Sequence, residues 1–96
     1  MSKPTTLTEF FDSPERWTQG AYAKNADGEP CNSLDDKAVC FCLLGAINYV
    51  YGDARSTQIV KKLKNADITI NRVGPWNDSQ DRTFDEIVDL CKRAGV

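Results

Sequence analysis

Apolar positions are concentrated in one stretch of the chain. From Ala38 to Ile47 ten consecutive residues carry no polar side chain. Ten is long for a strand yet well short of the ~20 residues that a bilayer-spanning helix needs. Ser33-x-x-Asp36 before the run has the form of a capping box, and Gly52 after it supplies a helix stop. The pattern predicts a helix over 33–51 that is apolar on every face and enclosed by other elements. At ~100° per residue, Ala38, Cys42, Gly45 and Ala46 form a stripe of small side chains, while Val39, Leu43, Ile47 and Val50 form a bulky one. A small stripe left empty is a costly void. A second helix backbone or a flat aromatic ring is therefore expected against it, with Trp17 and Trp76 as candidates.

The remaining pattern supplies the partners. Thr6-x-x-Glu9 ahead of Phe10 and Phe11 caps a short turn within an N-terminal arm over 1–12. Ser13-Pro14-Glu15 has the residues of a helix start, and that helix is expected to reach about Asn25, with Trp17 and Ala21 on one face beside Gly20. Asp27-Gly28 and Pro30 mark an exposed loop. Asp53 opens a third helix to about Asn65, with Ile59, Val60 and Leu63 inward and Arg55, Lys61, Lys62 and Lys64 outward. That basic run reads as a solvated face, with an anionic partner as the alternative. From 67 to 82 the chain is irregular. Ile68 and Ile70 alternate like a strand but have no second strand to pair with, Val73-Gly74-Pro75 is turn-like, and Trp76 is expected to plug the core. Thr83-x-x-Glu86 opens the last helix and Gly95 closes it, with Phe84, Ile87, Val88, Cys91 and Ala94 inward. The expectation is an all-α fold of about four helices packed around 33–51, in one small domain over 1–96.

Composition narrows the chemistry. The chain of 96 residues has a net charge of −2 and no histidine. The acidic balance disfavours nucleic acid as a partner. The missing histidine removes Ser-His-Asp and Cys-His catalysis and histidine metal sites, so no catalytic residue, metal site or cofactor is expected and the protein is read as a non-enzyme. There is no secretory leader or membrane-span pattern, which makes a cytoplasmic protein without membrane contact the expectation. The four cysteines, Cys31, Cys40, Cys42 and Cys91, are read as reduced thiols, three of them on apolar helical faces. Cys42 in particular has no base to activate it and an apolar setting, the character of an inert thiol.

The binding candidates are Trp76, Asn77, Asp78 and Arg82, with Trp17. An aromatic, an amide, a carboxylate and a guanidinium on one loop can read a ligand or a peptide. The same four residues are also explained without a ligand, as a core plug, an Asn-Asp turn and an Asp78–Arg82 ion pair.

Trp17 with Gly20, then Cys42-Leu43-Leu44-Gly45-Ala46, Trp76-Asn77-Asp78 and Arg82-Thr83 together resemble a family of small uncharacterised domains from bacterial and phage genomes. The resemblance extends from about Trp17 to Ala94 and implies a shared fold without an activity, cofactor or catalytic residue. Two functions then stay open. One is a non-enzymatic protein-binding module, which in a phage setting would inhibit a host or defence protein. The other is a binder of a small anionic ligand such as a nucleotide, using Arg82, the basic helix and a tryptophan.

Overall fold

The computed structural model describes residues 4–96, and in it the apolar run is divided. Ala38–Phe41 is a strand, Leu43–Tyr51 is a helix, and Cys42 between them caps the helix, its Sγ accepting from Gly45 N at 3.4 Å. This corrects the all-α expectation. Among the described residues the chain forms α1 (Leu7–Phe10), a 3-10 turn (Pro14–Arg16), β1 (Ala23–Asn25), β2 (Pro30–Cys31), β3 (Ala38–Phe41), α2 (Leu43–Tyr51), α3 (Asp53–Ala66), α4 (Val73–Asn77) and α5 (Phe84–Ala94). The three strands make an antiparallel sheet in the order β2-β1-β3.

The physical reason lies in what the apolar run can pair with. A continuous apolar stretch satisfies a buried strand as well as a buried helix, and Ala38-Val39-Cys40-Phe41 finds a partner in β1, with Ala23 opposite Phe41 and Lys24 opposite Cys40. The register shifts between Lys24 and Asn25, which leaves Val39 as the extra residue of a bulge. Asp27-Gly28 is the turn of the β1–β2 hairpin. Asn25 Oδ1 accepts from the backbone N–H groups of Asp27 and Glu29 at 3.0 and 3.1 Å, and Gly28 supplies φ +81°. Ser33 therefore starts no helix. It is buried, and its Oγ accepts from Asn48 Nδ2 at 2.9 Å.

The helix expected from Ser13 to Asn25 is also corrected. Only the 3-10 turn after Ser13 forms, Trp17 is already extended at φ −104° and ψ 143°, and Thr18 N donates to Phe41 O at 3.1 Å, holding the chain beside β3. Trp17 and Ala21 consequently share no helical face. The backbone that enters β1 takes the place against α2 that a second helix was expected to fill. A Cβ built on Gly45 would fall on the carbonyl oxygen of Tyr22 and within 2.9 Å of its carbon. The close approach expected at Gly45 is present, and its occupant is strand-edge backbone, not a helix or a tryptophan.

Local signals held where a cap and a clear helical period came together, as they did not after Ser13 and Ser33. Thr6 Oγ1 accepts from Glu9 N, α5 carries the full Thr83–Glu86 capping box, and Gly95 ends it in the left-handed region. Ile59 and Leu63 of α3 and Ile87, Leu90 and Cys91 of α5 are buried against one another and against Leu43, Ala46 and Ile47 of α2. The arm is part of this core: Leu7, Phe10 and Phe11 are buried, Phe10 meets Phe41 edge to face at 5.0 Å, and Thr8 N donates to Val96 O at 3.0 Å. The first three residues of the 1–12 arm lie outside the described residues. Between α3 and α5, Ile68 is 90% exposed and Ile70 is buried, while the expected Val73-Gly74-Pro75 turn is the first turn of α4. Proline is tolerated there because a first-turn N–H has no intrahelical acceptor.

Candidate functional site

The residues singled out in the sequence meet in space, and Asn77 is where they meet. Its side chain has no solvent exposure. A buried primary amide has two donors and two acceptor positions to satisfy, and Asn77 fills all four. Oδ1 accepts from Trp17 Nε1 at 2.7 Å and from Leu43 N at 3.1 Å; Nδ2 donates to Thr18 O at 3.1 Å and to Asp78 Oδ1 at 2.9 Å. One side chain on α4 thereby ties the loop after the 3-10 turn to the first turn of α2, where Leu43 N is among the amides that the helix leaves unpaired. Two further contacts close the same seam. Gln19 Nε2 donates to the carbonyls of Asn77 and Ser79, each at 2.8 Å, and Gly20 N donates to Asp78 Oδ1 at 3.0 Å.

Arg82 and Trp76 form the outer part of this clasp. The guanidinium carbon lies 3.8 Å from the centre of the Trp76 ring, Nε donates to Trp76 O at 2.9 Å, and Nη1 pairs with Glu86 Oε2 at 2.8 Å. Two expectations change here. Trp76 is half-buried under Arg82 instead of plugging the core, and the expected Asp78–Arg82 ion pair is not formed: Arg82 pairs with Glu86, while Asp78 serves Gly20 and Asn77. Trp17, Trp76, Asn77 and Arg82 are committed to one another and to the backbone.

Asp78 also borders an open cleft of about 540 Å³. Its wall and floor are Gly20, Ala21, Tyr22, Pro30, Cys31, Cys42, Leu44 and Gly74. Tyr22 and Leu44 continue into a second depression of about 390 Å³, lined by Asn32, Ser33, Asn48, Asp53 and Ser56. The two depressions adjoin at Tyr22 and Leu44 and are taken together as one groove, with Cys31 and Asp78 on one side of that pair and Asn48 and Asp53 on the other. Tyr22 rises from its rim and is 62% exposed. Among the described residues lining the groove there is no lysine or arginine; its charged side chains are Asp78 and Asp53.

Both thiols at the groove, Cys31 and Cys42, are shifted up from the ordinary thiol range. Burial pushes the Cys42 thiol up, the N–H groups of Gly45 and Leu44 at the start of α2 pull it down, and the Asp78 carboxylate adds to the rise. Cys31 is raised by burial and by Asp35. All four cysteines are free, Cys42 and Cys91 are buried, and Cys91, the only one within a helix, is pushed up to about 12 by burial. The expectation of three cysteines on helical faces is corrected by the strand at Cys40 and the cap at Cys42. No group of three or more cysteine, aspartate or glutamate side chains able to hold a metal ion occurs among the described residues, nor is any of their helices long and apolar enough to cross a membrane.

Sequence reasoning passed over Tyr22, Leu44, Asn48 and Ser33. The available signal was the exposed face of a hairpin: Tyr22 precedes Ala23-Lys24-Asn25 and the Asp-Gly turn, and in a strand neighbouring residues alternate between faces.

The structure is thus a small mixed α/β scaffold carrying a buried amide clasp beside a shallow groove. Residues 13–95 match the model of a family of unknown function, DUF6197, and the chain belongs to that family. No curated protein and no solved structure matches the chain.

Proposed function

We propose that this chain is a non-enzymatic protein-binding module and that it binds through the groove beside Tyr22. The observation that carries the reading is the character of that groove. It combines an exposed tyrosine, an apolar floor at Leu44 and Cys42, and two carboxylates with no base among them. Aromatic side chains with exposed area are the usual anchors of protein contacts. A negative lining repels phosphate and favours a neutral or basic polypeptide segment.

The anionic-ligand alternative loses support from the same geometry. Arg82 is engaged with Trp76 and Glu86, and the ring face it covers is closed to a nucleobase. Lys61 and Lys62 of α3 are exposed but lie outside the groove. In a phage or bacterial setting a module of this kind acts by occupying the surface of a host or defence protein.

Affinity capture from a bacterial lysate with the wild type and Tyr22→Ala side by side tests the reading. The expected result is a protein retained by the wild type and lost by the variant at unchanged melting temperature. Equal retention by both, or a stoichiometric nucleotide released on denaturing the wild type, would overturn it.

A further inference from the structure

Asp78 differs from the other carboxylates of this surface in being half engaged. Its Oδ1 is fixed by two donors, Gly20 N and Asn77 Nδ2, while Oδ2 has no partner among the described residues. The amide that fixes it is itself held on every side, since Asn77 is fully buried and makes four hydrogen bonds. A carboxylate oriented in this way costs little to order when a cation arrives, because its side-chain freedom is already restricted. It borders the Cys31 side of the groove, and Asp53 lines the Asn48 side beyond Tyr22 and Leu44.

We propose that the occupant of the groove is an extended, basic peptide segment of a partner protein, with a lysine or arginine donating to Asp78 Oδ2. This rests on the protein-binding reading above and adds the chemistry of the ligand. In an extended chain residues i and i+2 share a face. The segment therefore sets its cation at Asp78 and an apolar side chain two positions on against Leu44, Cys31 and the Tyr22 ring. Continuation past Tyr22 brings its backbone over Asn48, whose Oδ1 has no partner among the described residues and can accept an N–H. A second base further along meets Asp53. An acidic or phosphorylated segment is excluded by the same two carboxylates.

The test uses a random octapeptide display library selected against the whole protein, followed by anisotropy titration of the enriched synthetic peptide. Enrichment of lysine or arginine is expected, with binding that weakens as salt rises. Asp78→Asn keeps an oxygen for Gly20 N and Asn77 Nδ2 and replaces the open oxygen by an NH2 group. It is expected to weaken the peptide about tenfold or more, the loss of one charge-assisted hydrogen bond. Asp53→Asn, which disturbs no clasp contact, is expected to weaken it less and guards against instability of the first variant. Enriched peptides that are acidic or neutral, yet lost by Tyr22→Ala, would overturn the charge assignment and leave the protein-binding groove standing. Failure of any peptide to enrich, or enrichment insensitive to Tyr22→Ala, would overturn the peptide assignment, and insensitivity would also remove the groove from the functional reading.

Discussion

The Asn77 clasp and the Tyr22 groove lie side by side and share Gly20 and Asp78, yet they treat polar atoms in opposite ways. In the clasp every donor and acceptor of a buried amide is used, and the aromatic and cationic groups around it are spent on one another. In the groove a tyrosine stands 62% exposed, one oxygen of Asp78 is open, and no base neutralises the lining among the described residues. The lesson is that the residues most conspicuous in the sequence hold the architecture, and that the exposed, unengaged groups lie next to them in less conspicuous ones. Tryptophan, asparagine and arginine are distinctive because a buried polar junction needs them.

Breaking the clasp is expected to have the largest effect. Asn77→Ala leaves Leu43 N, Trp17 Nε1 and Thr18 O without their partner, and each buried orphan costs about 1–3 kcal/mol. A loss of about 3 kcal/mol or more in denaturant unfolding is expected, a large part of the stability of a domain this size. Gly45→Ala comes next. Alanine is worth about 1 kcal/mol over glycine in a helix, but the added Cβ would strike the Tyr22 carbonyl oxygen. Overpacking of about 1–3 kcal/mol should outweigh the propensity gain, and a variant as stable as the wild type or more so would remove the close-approach argument.

The thiols sharpen the same contrast without a mutation. Cys31 lines the groove and is half-buried, whereas Cys42 and Cys91 are buried. A maleimide should label Cys31 and Cys40 in the native state and reach Cys42 and Cys91 only in denaturant. A bulky adduct on Cys31 should also abolish partner binding while leaving the melting temperature almost unchanged. The smallest expected effect is at the far side of the clasp. The Thr83 N–H, with Arg82, holds the Glu86 carboxyl below its usual range. A depressed folded pKa contributes stability that is present above the unfolded value and lost as pH falls through the folded one. Glu86→Gln should therefore flatten the acid limb of α5 unfolding below about pH 4.3 and leave neutral-pH binding unchanged.

Part of this was readable from the sequence. The N-cap at Thr6, the capping box at Thr83, the stop at Gly95 and the inward faces of α3 and α5, apart from the unforeseen Leu90, are local signals, and such signals survive tertiary context when period and cap agree; the second half of the expected Thr6–Glu9 box does not form, because the Glu9 carboxylate turns to Thr5. The close approach at Gly45 was readable because a stripe of small residues demands an occupant. The division at Cys42 was hidden because an unbroken apolar run carries no period, and because cysteine is an uncommon helix cap. The hairpin is ambiguous in the sequence because Asp27-Gly28 fits a loop that ends a helix as well as the tight turn between two strands. The clustering of Trp17, Trp76, Asn77, Asp78 and Arg82 was legible, and they do come together, whereas the groove residues Tyr22, Leu44 and Asn48 were not. The roles of the clustered residues were not legible either, since whether Asp78 pairs with Arg82 or accepts from Gly20 depends on contacts some 60 residues apart in sequence.

The central claim, that the groove binds and the clasp only supports, is tested most directly by mapping amide chemical shifts on the labelled protein as a captured partner is added. The account predicts perturbations at Gly20, Ala21, Tyr22, Leu44, Asn48 and Asp53, with the indole N–H of Trp17 and the side-chain amide of Asn77 keeping their bonded positions. Perturbation confined to Lys61, Lys62 and the outer face of α3, with the Tyr22 region unmoved, would contradict it.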